Sequence, residues 1–284
     1  MWFHEHERHH PILEYVEIAE LLRFTPDAFE ARIVEAWRAF AEPARGGTVR
    51  IVEGSLFQIP IGVMLAMNAP AARIRALVRR LDALIAGAGG VLVYLHRPDV
   101  KRALAGTGDI RGMRWLEEMT GALAQSPYGR ARRVRALSGL IAYYERQRGL
   151  VDRLMPRLDV RHTAIDVTRG AWDRYDRAIT GFLDMRRAPE PKMTQAGLLR
   201  HAGVYRGTRR RQPAAVTTDG TRLYLQLPAT SVLPLVRVAG GHFCPQGLPI
   251  DVRFAYGAGG RARGFRYESR MSNEQLAETA WVRA

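Results

Sequence analysis

The sequence predicts an α/β domain with an incomplete parallel sheet, followed by a small antiparallel β-domain. In residues 1–185, short apolar or β-branched runs alternate with longer stretches of helical periodicity, which is the pattern of a parallel sheet covered by helices. Residues 186–193 include Ala188-Pro189-Glu190-Pro191, and these prolines indicate a linker. Residues 194–284 change to short strands separated by glycine-rich turns, which predicts a small sheet or partial barrel.

Helix signals in the first domain are clear. Thr25 is a good N-cap, Pro26 suits the first helical position, and Asp27 favours the positive end of the helix dipole. A second amphipathic helix follows Pro70, and a long helical pattern covers residues 131–158. These helices are predicted to cover the sheet.

Three strands are predicted in this domain, over residues 48–53, 91–95 and 163–167. The second strand is apolar on both faces, as a central parallel strand should be when helices cover it. Three strands make a thin sheet, so the sequence indicates that further strands are missing or lie near the N-terminus.

The second domain is predicted from turn signals at Asp219-Gly220, Gly240-Gly241 and residues 257–260. The runs between these turns are typical of antiparallel strands. They lie at Tyr205 and at residues 215–217, 223–225, 233–236, 252–254 and 264–267.

Composition limits the partners that we expect. The formal net charge is +15, but among the 43 Lys and Arg residues only Lys101 and Lys192 are lysines. This bias indicates codon-level pressure for arginine, and the arginine clusters at 130–135 and 209–211 have no interleaved aromatic residues of the kind that bind single strands. The sequence therefore disfavours nucleic acid as a partner. No apolar run approaches the roughly 20 residues that span a bilayer, so we also expect no membrane partner.

Cysteine and histidine usage predicts no metal site. Cys244 is the single cysteine, which excludes an intrachain disulfide and favours a cytoplasmic location. Cys244 has no basic neighbour in the sequence and is predicted to pack. The N-terminal histidines, at positions 4, 6, 9 and 10, have no partner cysteines and lie at a terminus that is expected to fray.

An acid at the carboxyl end of a parallel strand is well placed for chemistry, because ligands of open α/β sheets bind outside those ends. Glu53, followed by Gly54-Ser55, is such an acid and could act as a base on a substrate hydroxyl. It could equally cap the next helix, and spacing alone favours capping. His96 also follows a strand end, and the sequence does not decide whether it faces the ligand crevice or lies on the surface. Ser55 has no evident histidine partner, so a hydrolase triad is not supported.

Several segments of residues 9–185 resemble the P-loop nucleotide and nucleoside kinases of the thymidylate-kinase-like type. Glu53 and Ser55 match the Glu-Arg-Ser strand end of the deoxynucleoside kinases, although Gly54 stands where that arginine would be. The resemblance lies in residues 52–60, 91–99, Tyr128-Gly129, and 163–167 before Trp172.

The resemblance implies a kinase-like fold, a nucleoside-like substrate and a catalytic, substrate-side role for Glu53. It implies substrate or phosphate contacts for Ser55 and Gln58, and for the lid arginines Arg111 and Arg114. In so arginine-rich a chain, a solvated face is the competing interpretation of the two arginines, and the charge pattern favours it.

The chain departs from this family at the phosphate-binding loop. A P-loop needs G-x-x-x-x-G-K-[ST], because its backbone N–H groups and lysine hold the phosphates and its hydroxyl holds Mg²⁺. Gly-Lys occurs nowhere in the sequence. Either the reading frame begins upstream of Met1 or the protein has lost its nucleotide site. Loss of a central strand would expose unpaired edges, which favours the first explanation.

The sequence therefore predicts a truncated or degenerate kinase-like P-loop NTPase that is inactive as an ATP-dependent phosphotransferase in this form, with no cofactor. ATP and Mg²⁺ are expected only for a longer form. The alternative is a non-enzymatic module that binds a ligand or a protein. The second domain loosely resembles the accessory β-domains of some serine-hydrolase-like bacterial proteins, through residues 202–205, 219–225 and 243–254, which implies a binding or packing role.

Overall fold

The computed structural model describes residues 2–5, 7, 9–13, 24–42, 49–186, 192–209, 213–228, 232–246, 248–270 and 279–284. The chain divides into two compact units. Unit 1 comprises Met1–Glu5 and Pro11–Arg186, and unit 2 comprises His6–His10 and Arg187–Ala284. Most of the predicted linker, residues 187–191, lies outside the described residues.

Unit 1 is mainly helical. A 3₁₀ turn over Met155–Arg157 follows its longest helix. The described helices are α1 (Pro26–Ala41), α2 (Gln58–Ala66), α3 (Ala71–Gly87), α4 (Val100–Arg111), α5 (Met113–Gln125), α6 (Pro127–Arg132), α7 (Leu137–Leu154) and α8 (Trp172–Phe182).

The predicted start of α1 is confirmed. The Thr25 hydroxyl accepts a hydrogen bond from the backbone N–H of Ala28 at 3.2 Å, which satisfies one of the free donors of the first turn. The amphipathic helix after Pro70 is also confirmed as α3, whose buried stripe includes Ile74, Leu77 and Leu81. The long helical pattern at 131–158 is interrupted, because Arg133 adopts a left-handed backbone conformation between α6 and α7.

Among the described residues of unit 1, four short strands form two parallel pairs. Strand β1 (Trp2–Phe3) pairs with β2 (Ile51–Val52), and β3 (Val91–His96) pairs with β4 (Arg161–Asp166). The prediction of one sheet from three strands is therefore only partly correct, since the described strands form two separate two-stranded sheets. The apolar runs identify strands locally, whereas pairing partners depend on the rest of the fold.

A buried carboxylate holds the backbone segment that precedes β4. Asp82 of α3 is 1% exposed, and its two carboxylate oxygens accept hydrogen bonds from the backbone N–H groups of Asp159 and Val160 at 2.8 and 3.1 Å. An acid is tolerated in this core because both oxygens have donors.

Unit 2 is a closed eight-stranded antiparallel barrel, preceded by the short helix α9 (Gln195–Leu199). The strands follow the order β10-β11-β12-β5-β6-β7-β8-β9 around the barrel. They are β5 (Gly203–Gly207), β6 (Pro213–Thr218), β7 (Leu223–Gln226), β8 (Leu233–Ala239), β9 (His242–Pro245), β10 (Ile250–Tyr256), β11 (Ala262–Ser269) and β12 (Ala280–Arg283).

The barrel is closed and not partial because two strands that the sequence pattern does not identify complete it. Strand β9 joins β8 to β10, and β12 joins β11 to β5. Each has only four residues. Full closure leaves none of the described barrel strands with an unpaired edge.

Side chains fill the barrel interior. Tyr205, Phe243 and Tyr267 are at most 1% exposed, and the rings of Phe265 and Trp281 stack at 5.0 Å. A barrel of eight strands is just wide enough for its side chains to fill. Polar side chains that face outward on the wall are therefore the accessible part of unit 2.

In the part of the chain that the structure describes, no helix has both the length and the apolar character needed to cross a membrane.

Candidate functional site

The turn after β2 gathers three of the predicted site residues. Glu53 follows the strand, and its backbone N–H donates to the carbonyl of Phe3 at 3.2 Å. Its carboxylate is 42% exposed and lies 3.8 Å from the imidazole of His4. Gly54 adopts φ +66°, a conformation that glycine takes at no steric cost, so the chain turns sharply here into α2. The Glu53 carboxylate is thus partly exposed to solvent.

Ser55 and Gln58 have structural contacts in the same turn. Ser55 is 4% exposed, and its carbonyl accepts a hydrogen bond from the Trp37 indole at 3.2 Å. The exposed amide of Gln58 donates to the Glu5 carboxylate, and the Gln58 carbonyl accepts from Gln147 at 2.9 Å. These contacts fix the turn that carries Glu53.

The predicted lid arginine Arg114 does not join this turn in the described structure. Arg114 is 90% exposed and donates to Glu118 at 2.9 Å, one turn further along α5. Residues four apart on a helix are neighbours, so this pair forms locally. The side chain of Arg111, at the end of α4, lies outside the described part of the structure.

A second group of polar side chains lies at the carboxyl ends of β3 and β4. His96 and Asp166 end these two strands and are register partners. Asp166 accepts hydrogen bonds from the backbone N–H of Thr168 at 2.9 Å and from its hydroxyl. These bonds, led by the hydroxyl, lower the pKa of Asp166, so the group is a carboxylate at neutral pH.

His96 is held as a neutral imidazole. Burial and, next, the charge of Arg148 lower its pKa, although Asp166 acts in the opposite direction. Its ring stacks on Tyr94 with centroids 5.4 Å apart, and its buried Nδ1 has no hydrogen-bond partner among the described residues. A buried polar atom without a partner is uncommon and often marks a functional position.

Arginines surround these strand ends. Arg148 of α7 donates to the backbone carbonyl of Arg97 at 2.8 Å and to the carboxylate of Asp152 at 2.7 Å. Close by, an open concavity of about 30 Å³ is lined by Arg97, Asp99, Arg102, Ala103 and Thr168. Asp99 also caps α4, since its carboxylate accepts from the N–H of Arg102 at 2.8 Å.

Sequence reasoning did not single out Arg97, Arg102, Arg148 or Asp166. Like Glu53, Asp166 is an acid at the end of a predicted parallel strand, so the rule that identified Glu53 also identifies Asp166. The arginines carried no distinguishing signal, because arginine is abundant throughout the chain.

The chain matches no protein-family model, and neither a curated protein nor a solved structure matches it significantly. The geometry of these residues is therefore what indicates a function. A neutral imidazole with a free nitrogen, a carboxylate and several guanidinium groups can together bind an anionic group and hydrogen-bond a hydroxyl beside it.

Proposed function

We propose that the chain is a degenerate, kinase-like P-loop NTPase that binds a phosphorylated small molecule at the carboxyl ends of β3 and β4. In this form it does not transfer phosphate from ATP. The observation that carries the proposal is the concavity between Arg97, Arg102 and Thr168, near the paired strand ends of His96 and Asp166. Ligands of parallel sheets bind at this edge.

The size of the concavity limits the ligand. At about 30 Å³ it is far smaller than the roughly 300–1,000 Å³ of a typical small-molecule pocket. It suits a single anionic group and not an enclosed nucleoside. Guanidinium groups are suitable donors to phosphate oxygens, so the side chains of Arg97 and Arg102 fit a terminal phosphate. The Thr168 hydroxyl is engaged with Asp166 and lines the concavity without a free proton to donate.

Glu53 is the proposed acid on the substrate side, as the family resemblance implies. Its carboxylate is 42% exposed, which gives a substrate hydroxyl access to it. The sequence contains no Gly-Lys, and transfer of the γ-phosphate of ATP in P-loop enzymes uses the lysine of that motif, which supports the proposal that this form does not transfer phosphate from ATP.

Calorimetry with inorganic phosphate and with a nucleoside monophosphate tests the binding site. We expect Arg97→Ala/Arg102→Ala to lower the affinity at least about tenfold, which is the cost of losing charge-assisted hydrogen bonds. Arg114→Ala removes a solvent-exposed arginine that is paired with Glu118, and should leave the affinity unchanged. A loss confined to Arg114→Ala would instead support the lid assignment implied by the resemblance.

An assay for phosphate transfer from ATP to nucleosides tests the second part of the proposal. We expect no product with this chain in the presence of Mg²⁺. Product above background that disappears in Glu53→Gln would show an active kinase and refute the degenerate assignment.

A further inference from the structure

Three metal-ligand side chains converge on the outer wall of the barrel in unit 2. His242 and Cys244 are two residues apart on β9, so they share one face of the strand, while Phe243 between them points into the core. Asp251 lies on the neighbouring strand β10, which pairs antiparallel with β9. Its neighbours Ile250 and Val252 are buried, so Asp251 also points outward.

The ligand atoms of these residues are close to one another. The Cys244 Sγ lies 3.8 Å from the His242 Nε2 and 3.8 Å from the Asp251 Oδ1. The His242 Nε2 is also in hydrogen-bond contact with the Asp251 Oδ1. All three atoms lie within 4.8 Å of one another, and all three residues are half-buried.

This arrangement differs from that of a cysteine nucleophile activated by a histidine. In such a triad the thiol and the carboxylate contact opposite nitrogens of the imidazole, so that a proton can pass through the ring. Here both Cys244 and Asp251 contact the same nitrogen, Nε2. Three donor atoms that face one point form a coordination site and not a proton relay.

We infer that His242, Cys244 and Asp251 bind a zinc-type divalent transition-metal ion, with a fourth coordination position left to solvent or a ligand. Sulfur, imidazole nitrogen and carboxylate oxygen form a donor set that suits Zn²⁺ and not Mg²⁺ or Ca²⁺, which prefer oxygen alone. Three protein ligands with one open position are the pattern of reactive zinc sites.

The spacing is compatible with tetrahedral coordination. Bonds of about 2.3 Å to sulfur and about 2.0 Å to nitrogen or oxygen place neighbouring ligand atoms about 3.5 Å apart. The two sulfur distances of 3.8 Å are close to this value. Only the His242–Asp251 contact is shorter than this value, so it has to lengthen when a metal binds.

The charged neighbours permit a cation here. Arg270 acts on Cys244 electrostatically, but its guanidinium donates to the carboxylate of Glu7. Arg253 lies 3.8 Å from the Asp251 Oδ1 and is 55% exposed, so it can turn into solvent when a metal takes that oxygen. The thiol loses its proton to solvent on coordination, which adds a negative charge to that of Asp251.

The single cysteine makes the site directly observable in the intact 284-residue chain. Titration of the reduced protein with Co²⁺ should produce a thiolate-to-cobalt charge-transfer band at one equivalent, and Zn²⁺ should abolish it by competition. The band requires a thiolate ligand, so it cannot arise from the N-terminal histidines. Because Cys244 is the chain's single cysteine, the band reports on this residue. Cys244→Ser should remove the band.

His242→Gln and Asp251→Asn should each weaken Co²⁺ binding at least about a hundredfold, since even outer-shell changes cost about 10- to 100-fold. The matched control is Glu268→Gln, an exposed acid that is the register partner of Asp251 but lies outside the three-residue group. It should leave the affinity unchanged. Circular dichroism checks that each variant keeps the barrel.

The absence of a thiolate band from the wild-type protein at micromolar Co²⁺ would overturn the inference. This test does not depend on whether the variants fold. A band that keeps its intensity and affinity in both His242→Gln and Asp251→Asn would overturn it as well, because it would show adventitious binding to the thiol alone. None of these outcomes depends on the anion site of unit 1.

Discussion

His96 and Asp166 are register partners at the carboxyl ends of β3 and β4, and their surroundings favour a charged carboxylate on Asp166 but a neutral imidazole on His96. Hydrogen bonds from Thr168 lower the pKa of Asp166, so it is ionised, whereas burial lowers the pKa of His96, so it is neutral. A base without charge therefore stands beside a carboxylate, in a part of unit 1 that is otherwise rich in arginine.

The pKa of His96 should be below its usual value of 6.5 in the folded protein. The unfolded chain then binds the proton more readily, so His96 lowers the stability of unit 1 as the pH falls below about 6.5. NMR titration of the imidazole checks the pKa, and urea unfolding between about pH 7.5 and pH 5.5 checks the stability.

His201 of unit 2 also has a lowered pKa, again mainly through burial, so the comparison has to be made against His96→Asn. This variant should lose less stability on acidification than the wild-type protein. Titration of the His96 ring above pH 6.5 would contradict the prediction.

Replacing Asp82 should destabilise unit 1. Asp82→Ala leaves the backbone N–H groups of Asp159 and Val160 without their acceptor in the core, and we expect a loss of about 3 kcal/mol in the free energy of unfolding. Asp109→Ala removes an exposed acid of α4 and should change stability by less than about 0.5 kcal/mol. Both free energies of unfolding are measured with urea. Equal losses for the two variants would show that the buried contacts of Asp82 contribute no more to stability than an exposed acid does.

Arg283 should be essential for unit 2. Its guanidinium donates to the carbonyls of Ala202 at 2.7 Å and Arg200 at 2.9 Å and to the hydroxyl of Tyr205 at 2.9 Å. Arg283→Ala should cost at least about 3 kcal/mol, because several acceptors lose a charged donor together. Thermal unfolding followed by circular dichroism measures this loss, and the exposed Arg266 of β11 provides the control, Arg266→Ala. A loss no larger than that of the control would refute the role.

Arg148 should act on the anion site through the backbone. It donates to the carbonyl of Arg97 and is itself held by Asp152. Arg148→Ala should lower the phosphate affinity about fivefold to tenfold by releasing the Arg97 backbone, while Arg148→Lys should restore part of the loss because it keeps the charge. Equal phosphate affinities for the wild-type protein and Arg148→Ala, measured by calorimetry, would show that Arg148 does not contribute to the anion site.

Local signals predicted the helices of unit 1 well. The cap at Thr25 and the apolar stripe of α3 depend on residues within a few positions of one another, and both are confirmed. Strand pairing was predicted less well, because β2 pairs with Trp2–Phe3 and not with β3. Nothing within the two residues of β2 specifies its partner, since that choice depends on distant residues.

The candidate sites show the same limit. Glu53, Ser55 and Gln58 lie in one turn because they are nearly contiguous in sequence, whereas Arg114 pairs with Glu118 along its own helix. The spacing of His242 and Cys244 is visible in the sequence, but Asp251 joins them only through the pairing of β9 with β10. A metal site built across two strands could therefore not be predicted from cysteine and histidine spacing.

Barrel closure also has a consequence for folding kinetics. The last pairing of the barrel joins β12 to β5, with Trp281 opposite Gly207, and so connects residues that are far apart in sequence. Contacts of this kind form slowly, because a long loop must close before they contribute any stability. Before β12 docks, β5 and β11 each lack one neighbouring strand, and unpaired strand edges of this kind favour aggregation.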